Sequence, residues 1–178
     1  MTVHDKGAIG FSAKLRTPFA VIGINTDGHA VTRLAYLPLS ERALAPKDAV
    51  AEQAVRELER YLADPHYRFR VTLAAGGTAF QQRVWSAIAT IVPGESRTYA
   101  EVARMVRSAP RAVGGACGAN RIALIIPCHR VVAAQGSLGG FMGVRPSDAR
   151  THAAAPESGD PIAIKRWLLR HEGYRVGA

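Results

Sequence analysis

The chain has few of the features that mark secreted, membrane or metal-binding proteins. It contains only two cysteines, Cys117 and Cys128, in 178 residues, which is too few for a disulfide framework, and it lacks the Cys/His spacing of structural zinc sites. No apolar run is long enough to cross a bilayer, and no charged-then-apolar secretory signal is present at the start. We therefore expect no metal, no cofactor and no membrane partner, and a location in the reducing cytoplasm.

Acidic residues are also scarce relative to basic ones. The chain has 14 Asp and Glu against 23 Lys and Arg, a formal net charge of +9, which favours a polyanionic partner. Residues 1–75 carry 10 basic and 8 acidic side chains, whereas residues 76–178 carry 13 and 6. The positive excess therefore lies in the second half, although a solvated basic surface without a partner is the alternative.

The first half is predicted to be a small α+β domain. Apolar runs at 19–24 and 30–37 are joined through a segment ending in Asp27-Gly28, a dipeptide typical of hairpin turns. Apolar residues at helical spacing predict a helix over 46–63, and alternation predicts a strand over 67–73. No catalytic constellation is visible in this half, which ends at a linker over 74–77.

The second half is predicted to be mainly helical. Thr78 and Thr98 are each followed three residues later by Gln or Glu, the capping-box pattern that opens a helix. Helix, short turn and helix in a basic region indicate a helix-turn-helix. The predicted helices cover 78–91, 98–106, 111–119 and 162–171. The Pro-, Ala- and Ser-rich segment 144–161 is predicted to be a surface loop, either an additional DNA contact or a neutral insertion.

The third of these helices is rich in residues without bulky side chains. Gly114, Gly115 and Gly118 alternate there with alanines, and each glycine costs roughly 1 kcal/mol relative to alanine in a helix. Something must therefore approach the backbone closely. Tight packing against another helix and entry into a narrow groove both explain the pattern.

A cysteine followed at once by a histidine lies between two apolar runs, at Cys128 and His129. Pro127 interrupts any regular element just before the cysteine, and rigid apolar flanks are the support that a reactive group needs. A thiolate beside a cationic or hydrogen-bonding neighbour is an activated nucleophile. A structural cysteine in an apolar core is the competing interpretation, and the local chemistry leaves both open.

The wider pattern resembles a known family. Pro127-Cys128-His129-Arg130-Val131-Val132, preceded by Arg111-Ala112-Val113-Gly114-Gly115-Ala116 and Asn120, is similar to the O6-alkylguanine-DNA alkyltransferases, also called methylated-DNA–protein-cysteine methyltransferases. The resemblance runs from about Thr78 to Gly173 and more weakly into the first half. It implies a ribonuclease-H-like, mainly structural domain over 1–76. It also implies a helical domain over 77–178 with a winged helix-turn-helix that enters the minor groove.

The resemblance also implies an activity. The family transfers alkyl groups directly from O6-alkylguanine, and secondarily from O4-alkylthymine, in duplex DNA to the cysteine, here Cys128. The base must leave the stack first. His129 is expected to take the thiol proton through water and Glu172 to orient that histidine. Tyr99 would donate to the departing base, and Asn120 would brace the turn before the cysteine segment. An acid at a helix end, as at Glu172, is electrostatically disfavoured unless it has another partner.

Residues for DNA and pocket contacts follow from the same resemblance. Arg111 would fill the space left by the flipped nucleotide, and the other expected DNA contacts are Thr98, Ala112, Gly114 and Gly115. The pocket walls would be Val131, Phe141 and Met142, with the Cys128 and Val131 carbonyls accepting from the guanine amino group. Cys117 is interpreted as a small apolar filler. Relatives often have a tyrosine and a small polar residue at the positions of Phe141 and Met142, which leaves the alkyl-size preference open.

A thioether product has no good leaving group, so each molecule is expected to act once. The expected partner is double-stranded DNA with O6-alkylguanine, bound by a monomer that is able to act cooperatively along the duplex. A cysteine hydrolase, a non-catalytic lesion-binding protein and a transcription regulator are the alternatives. The basic helix-turn-helix disfavours the first and the presence of Cys128 the second. Regulatory relatives carry a cysteine-rich metal domain, a feature that is missing from this sequence.

Overall fold

The computed structural model describes residues 10–144 and 160–174 and contains both helices and sheet, as the α+β prediction requires. Segment 144–161 is predicted to be a surface loop, and all of it except its ends, residues 145–159, lies outside the described residues. Within the described ranges, no helix has the length and apolar composition needed to cross a membrane.

From residue 10 onward, the first half forms a three-stranded antiparallel sheet and one helix. Strands β1 (Ala13–Arg16), β2 (Val21–Thr26) and β3 (Val31–Leu37) pair in the order β1-β2-β3, and α1 spans Ala49–Ala63. The predicted hairpin is confirmed, with Gly28 at φ 87° in its turn, a conformation that glycine adopts without strain. Strand β1 was not predicted because four residues give too short an alternation.

The predicted strand over 67–73 is wrong. Only Leu73 forms an isolated bridge, with Val31. The carboxylate of Glu57 on α1 accepts the backbone N–H groups of Arg70 and Val71 at 2.7 and 3.1 Å. A side chain thus satisfies donors that a neighbouring strand would otherwise bind, so the alternating pattern does not lead to a ladder.

The described part of the second half, 77–144 and 160–174, contains four α-helices and one short parallel strand pair. Helices α2 (Ala79–Ala89), α3 (Tyr99–Met105), α4 (Pro110–Gly118) and α5 (Pro161–His171) confirm the four predicted helices. Both predicted capping boxes are present at Thr78 and Thr98. Strand β4 (Arg97–Thr98) pairs with β5 (Val131–Val132). This pair fixes the residues after Cys128-His129-Arg130 beside the start of α3.

The two halves share one apolar core. The rings of Phe19 and Trp167 lie 4.4 Å apart between centroids. The backbone N–H of Leu34 on β3 donates to the carbonyl of Arg121 at 2.8 Å. The N-terminal sheet therefore supports the segment between α4 and Cys128 directly.

Candidate active site

Cys128 lies at the wall of a cavity of about 600 Å³. It opens a 3-10 turn, Cys128–Arg130, and its side chain is almost fully buried. The cavity is also lined by Tyr99, Arg111, Gly114, Cys117, Phe141 and Met142. These six residues and Gly115, all predicted from scattered parts of the sequence, are thus brought around the thiol.

Asn120 connects α4 to the cysteine segment. Its Nδ2 donates to the Ile126 carbonyl at 2.9 Å and to Cys128 Sγ at 3.2 Å, and its Oδ1 accepts from the Ile122 N–H at 3.0 Å. The intervening Leu124 has a φ of 90°, a conformation that is strained for a branched side chain. Asn120 therefore braces a tight turn and also contacts the sulfur.

The thiol of Cys128 is neutral at rest. Burial raises its pKa above the usual value, while the Asn120 hydrogen bond and the positive charge of Lys165 lower it. Because burial is the larger effect, a preformed thiolate is not favoured. Attack by this sulfur requires a nearby group that removes the proton as the reaction proceeds.

His129 has the properties of such a proton acceptor. Its side chain is fully buried, and its Nε2 lies 2.9 Å from Glu172 Oε1. Burial lowers the pKa of His129 although the Glu172 carboxylate opposes this shift, so the ring is neutral. When Nε2 donates to the carboxylate, Nδ1 carries a lone pair. Among the described residues Nδ1 has no hydrogen-bond partner, which leaves it able to accept a proton.

Glu172, at the C-cap of α5, is a buried carboxylate with several hydrogen-bond partners. Arg130 donates to it twice, from Nε to Oε2 and from Nη2 to Oε1, both at 2.9 Å, and the Tyr61 hydroxyl donates to Oε1 at 2.8 Å. Burial alone would raise the pKa of Glu172, but His129 and Arg130 hold it well below its usual range. These partners explain how an ionised acid is retained at an unfavourable helix end.

Tyr99 is the first residue of α3, and its hydroxyl donates to the Gly140 carbonyl at 3.1 Å. Burial raises the pKa of this hydroxyl, so it remains a hydrogen-bond donor at neutral pH. The β4–β5 pairing places Tyr99 on the same cavity wall as Cys128.

Lys165 is a buried cation that the sequence interpretation missed. Its Nζ donates to the carbonyls of Val131 at 2.6 Å and Gly140 at 2.9 Å, and burial lowers its pKa to about 8. Its burial could have been predicted from its spacing, because it lies three residues after Ile162 and three before Leu168, on the apolar side of α5. The Val131 carbonyl, expected to bind substrate, thus already has one donor.

The glycine-rich face of α4 is not explained by packing within the described chain. A Cβ at Gly115 would meet no atom within 4 Å, and one at Gly114 would meet only Tyr99 Cε1, at 4.0 Å. Gly118 differs, since its Cβ would lie 3.4 Å from Gly143. Arg111 is exposed at the cavity rim. The face around Gly114 and Gly115 is therefore open to a partner.

The remaining predicted residues occupy distinct positions. Ala112 is half-buried on α4, and Val131 is buried outside the cavity lining. The Thr98 hydroxyl is engaged in the α3 capping box. Cys117 faces the cavity, and burial raises its pKa to about 12, so its thiolate form is disfavoured at neutral pH. Among the described residues, no group of three or more His, Cys, Asp or Glu side chains is suited to a metal ion.

Comparisons with known proteins identify the family to which this chain is similar. Residues 79–174 match the family described as 6-O-methylguanine DNA methyltransferase, DNA binding domain. A methylated-DNA–protein-cysteine methyltransferase of Methanosarcina mazei is 37% identical over 134 residues, covering 71% of this chain and 85% of the relative. One from Mycobacterium leprae is 46% identical over 100 residues, which cover 55% of this chain and 61% of that protein.

A solved structure gives the same result over a larger part of the chain. The Mycobacterium tuberculosis OGT in complex with DNA superposes with a TM-score of 0.70 at 36% identity, covering 89% of this chain and 90% of that one. The matched segment includes every predicted active-site residue from Tyr99 to Glu172. The chain therefore belongs to the methylated-DNA–protein-cysteine methyltransferase family.

Proposed function

We propose that this protein repairs DNA by moving the alkyl group of O6-alkylguanine in a duplex onto Cys128 Sγ. The observation that carries the proposal is the buried constellation of Asn120, His129 and Glu172 behind Cys128, whose side chain lies at the wall of the cavity. Family membership and the DNA complex of an M. tuberculosis relative support it. O4-alkylthymine is a secondary substrate because it presents the same kind of alkylated exocyclic oxygen.

The lesion reaches the thiol by leaving the base stack. Cys128 is only 3% exposed, so a base that remains paired cannot contact its sulfur. The open face of α4 at Gly114 and Gly115 allows close approach of a minor groove. Ala112 in the first turn of α4 and Thr98 at the N-cap of α3 are further DNA contacts in this proposal. Arg111, exposed at the rim, fills the space that the flipped nucleotide leaves.

The transfer is a direct displacement at the alkyl carbon. The Cys128 proton moves through a bridging water to His129 Nδ1, and Glu172 stabilises the imidazolium that results. The Sγ–C bond forms as the C–O6 bond breaks, and the electron pair of that bond moves to the guanine oxygen and ring. Tyr99, a donor held 3.1 Å from Gly140, turns to donate to the base as charge develops. The thioether has no hydrolytic route at neutral pH, so each molecule acts once.

Pocket recognition uses the backbone and the walls around Cys128. The carbonyls of Cys128 and Val131 accept from the guanine amino group. Each uses its second lone pair, because Val131 N–H already donates to the Cys128 carbonyl and Lys165 to the Val131 carbonyl. Phe141 and Met142 line the cavity and set the size of alkyl group admitted, with Cys117 as filler.

The same proposal covers the architecture. A ribonuclease-H-like domain over 1–76 is supported by the antiparallel sheet with α1, and a winged helix-turn-helix domain over 77–178 by α3 and α4. The protein acts as a monomer without a cofactor, and cooperative binding along the duplex is compatible with this mode. It acts in a reducing compartment, because the reaction needs the free thiol of Cys128.

Intact-protein mass spectrometry tests the proposal. Wild-type protein and Cys128→Ser are incubated with a duplex containing O6-methylguanine, and the modified residue is mapped by peptide analysis. We expect one added methyl on Cys128 and none on the variant. Tight binding of the lesion without added mass would identify a non-catalytic lesion-binding protein instead.

A further inference from the structure

Tyr61 connects the N-terminal region to the proposed proton relay. It lies on α1, is 1% exposed, and donates its hydroxyl to Glu172 Oε1 at 2.8 Å across 111 residues of sequence. The same oxygen lies 2.9 Å from His129 Nε2. One carboxylate oxygen therefore contacts both the relay histidine and a residue of the domain that is expected to be mainly structural.

The backbone and the ring of Tyr61 also hold the end of α5. Its carbonyl accepts from His171 Nε2 at 2.9 Å, and the two rings pack edge to face with centroids 5.2 Å apart. Phe69 packs on the ring of Tyr61 with centroids 5.6 Å apart. Since Glu172 directly follows the last residue of α5, these contacts fix the point from which its carboxylate projects.

We propose that Tyr61 is a positioning residue of the alkyl-transfer reaction. Its hydroxyl holds Glu172 Oε1 where His129 requires it and shares that oxygen's negative charge. The proposal rests on the alkyl-transfer function proposed above. Arg130 alone does not determine the position of Oε1, because it donates to both carboxylate oxygens of Glu172. Tyr61 donates only to Oε1, the oxygen that contacts His129.

Charge sharing gives a direction for the pH dependence. Without the tyrosine donor, Oε1 is a stronger acceptor for the His129 ring and favours its protonated form, so the pKa of His129 rises. The other charged groups near His129 are Arg130 and Lys165, which both disfavour protonation and are unchanged in the experiment. The further titratable neighbours of Tyr61 are Tyr36 and Arg130, together with His171 at the end of α5.

The test compares Tyr61→Phe with Tyr67→Phe. Tyr67 lies in the same region and packs on the same Phe69 ring with centroids 5.8 Å apart, but it is half-buried and outside the Glu172 cluster. Both changes retain the ring, and thermal unfolding identifies a temperature at which all proteins are folded. Two rates are measured from pH 5 to 9: transfer from an O6-methylguanine duplex and alkylation of Cys128 by iodoacetamide.

We expect Tyr61→Phe to slow transfer at pH 7 by about three- to tenfold and to move the acid limb of the iodoacetamide profile upward by about half a pH unit. Tyr67→Phe should match wild type in both. The proposal would be overturned if Tyr61→Phe had the transfer rate and the acid limb of wild type, or if both variants changed equally. The iodoacetamide profile needs no DNA lesion, so it tests Tyr61 even if wild type fails to take a methyl from the duplex.

Discussion

The two halves of the chain differ in the polar groups that they bury. Among the described residues before 77, the buried polar residues apart from tyrosines are Thr17 and Glu57, and both bind nearby backbone. The buried Tyr61 hydroxyl is the exception that reaches Glu172 in the second half. After 77 the buried polar residues are Asn120, His129, Arg130, Lys165 and Glu172, all within one cluster around the thiol. Burying a charged group costs free energy unless partners compensate it. The concentration of buried charged groups around Cys128 therefore identifies the part of the fold that is adapted to a reaction.

The largest difference between the halves is expected when one buried acid in each is replaced by glutamine. Glu172→Gln leaves Arg130 and His129 without their charged partner, so we expect a loss of about 3–5 kcal/mol in unfolding free energy and of at least about 100-fold in transfer rate. Glu57→Gln retains an acceptor for two backbone N–H groups. It should cost about 1–2 kcal/mol with an unchanged rate. Urea unfolding and single-turnover kinetics measure both quantities, and equal rate losses would contradict the account.

Acid should remove the stabilisation that Glu172 provides. The folded-state pKa of Glu172 is below the value in an unfolded chain, about 4.3. The carboxylate therefore stabilises the fold fully above that value, and this contribution is lost as pH falls toward the folded pKa. The difference in unfolding free energy between wild type and Glu172→Gln should shrink from pH 7 to pH 3. A pH-independent difference would show that the charge of Glu172 is not what stabilises the cluster.

A core truncation in the first half separates stability from chemistry. Leu58 is fully buried on α1, and Leu58→Ala should cost about 2–5 kcal/mol in unfolding free energy. At a temperature where the variant stays folded, its transfer rate should equal that of wild type. A large rate loss in fully folded protein would mean that the packing of α1, and not a single hydroxyl, controls the site.

Replacing Lys165 tests its effect on the thiol. Its positive charge lowers the pKa of Cys128 against the effect of burial, so Lys165→Met should raise that pKa. We expect alkylation of Cys128 by iodoacetamide to be several-fold slower at pH 7 and to approach the wild-type rate as the pH rises. A pH-independent reduction in rate would indicate altered shape of the cavity instead of lost charge.

The smallest effect on the protein itself is expected at the open face of α4. A Cβ at Gly115 would meet no described atom within 4 Å. Gly115→Leu should therefore stabilise the helix by roughly 0.5–1 kcal/mol. Binding of duplex DNA, followed by fluorescence anisotropy, should nevertheless weaken. Ala89→Leu, at an exposed site on α2, is the control and should leave binding unchanged. Equal binding by both variants would contradict minor-groove entry of α4.

Local patterns predicted those elements whose cause is local. The capping boxes at Thr78 and Thr98 and the Asp27-Gly28 turn each involve residues within a few positions, and the structure contains all three. The strand over 67–73 failed because a side chain from α1, Glu57, takes its backbone donors. Local alternation cannot reveal such a partner.

The candidate site was predictable to the extent that its residues form motifs. Cys128, His129 and Asn120 lie close together in sequence, whereas Glu172 was indicated by the family resemblance and its position at a helix end. Lys165 and Tyr61 were missed because their roles arise from contacts across 34 and 111 residues. A lysine on an apolar helix face was the one sequence signal available for the former.

The stoichiometry of methyl transfer tests the central claim most directly. Protein is mixed with a tenfold excess of duplex that carries radiolabelled O6-methylguanine, and protein-bound label is followed to its plateau. We predict one methyl per molecule, no label released to solution, and loss of activity toward a second addition of duplex. Continued loss of label from DNA beyond one equivalent, with Cys128 unmodified, would show a turnover enzyme and contradict the account.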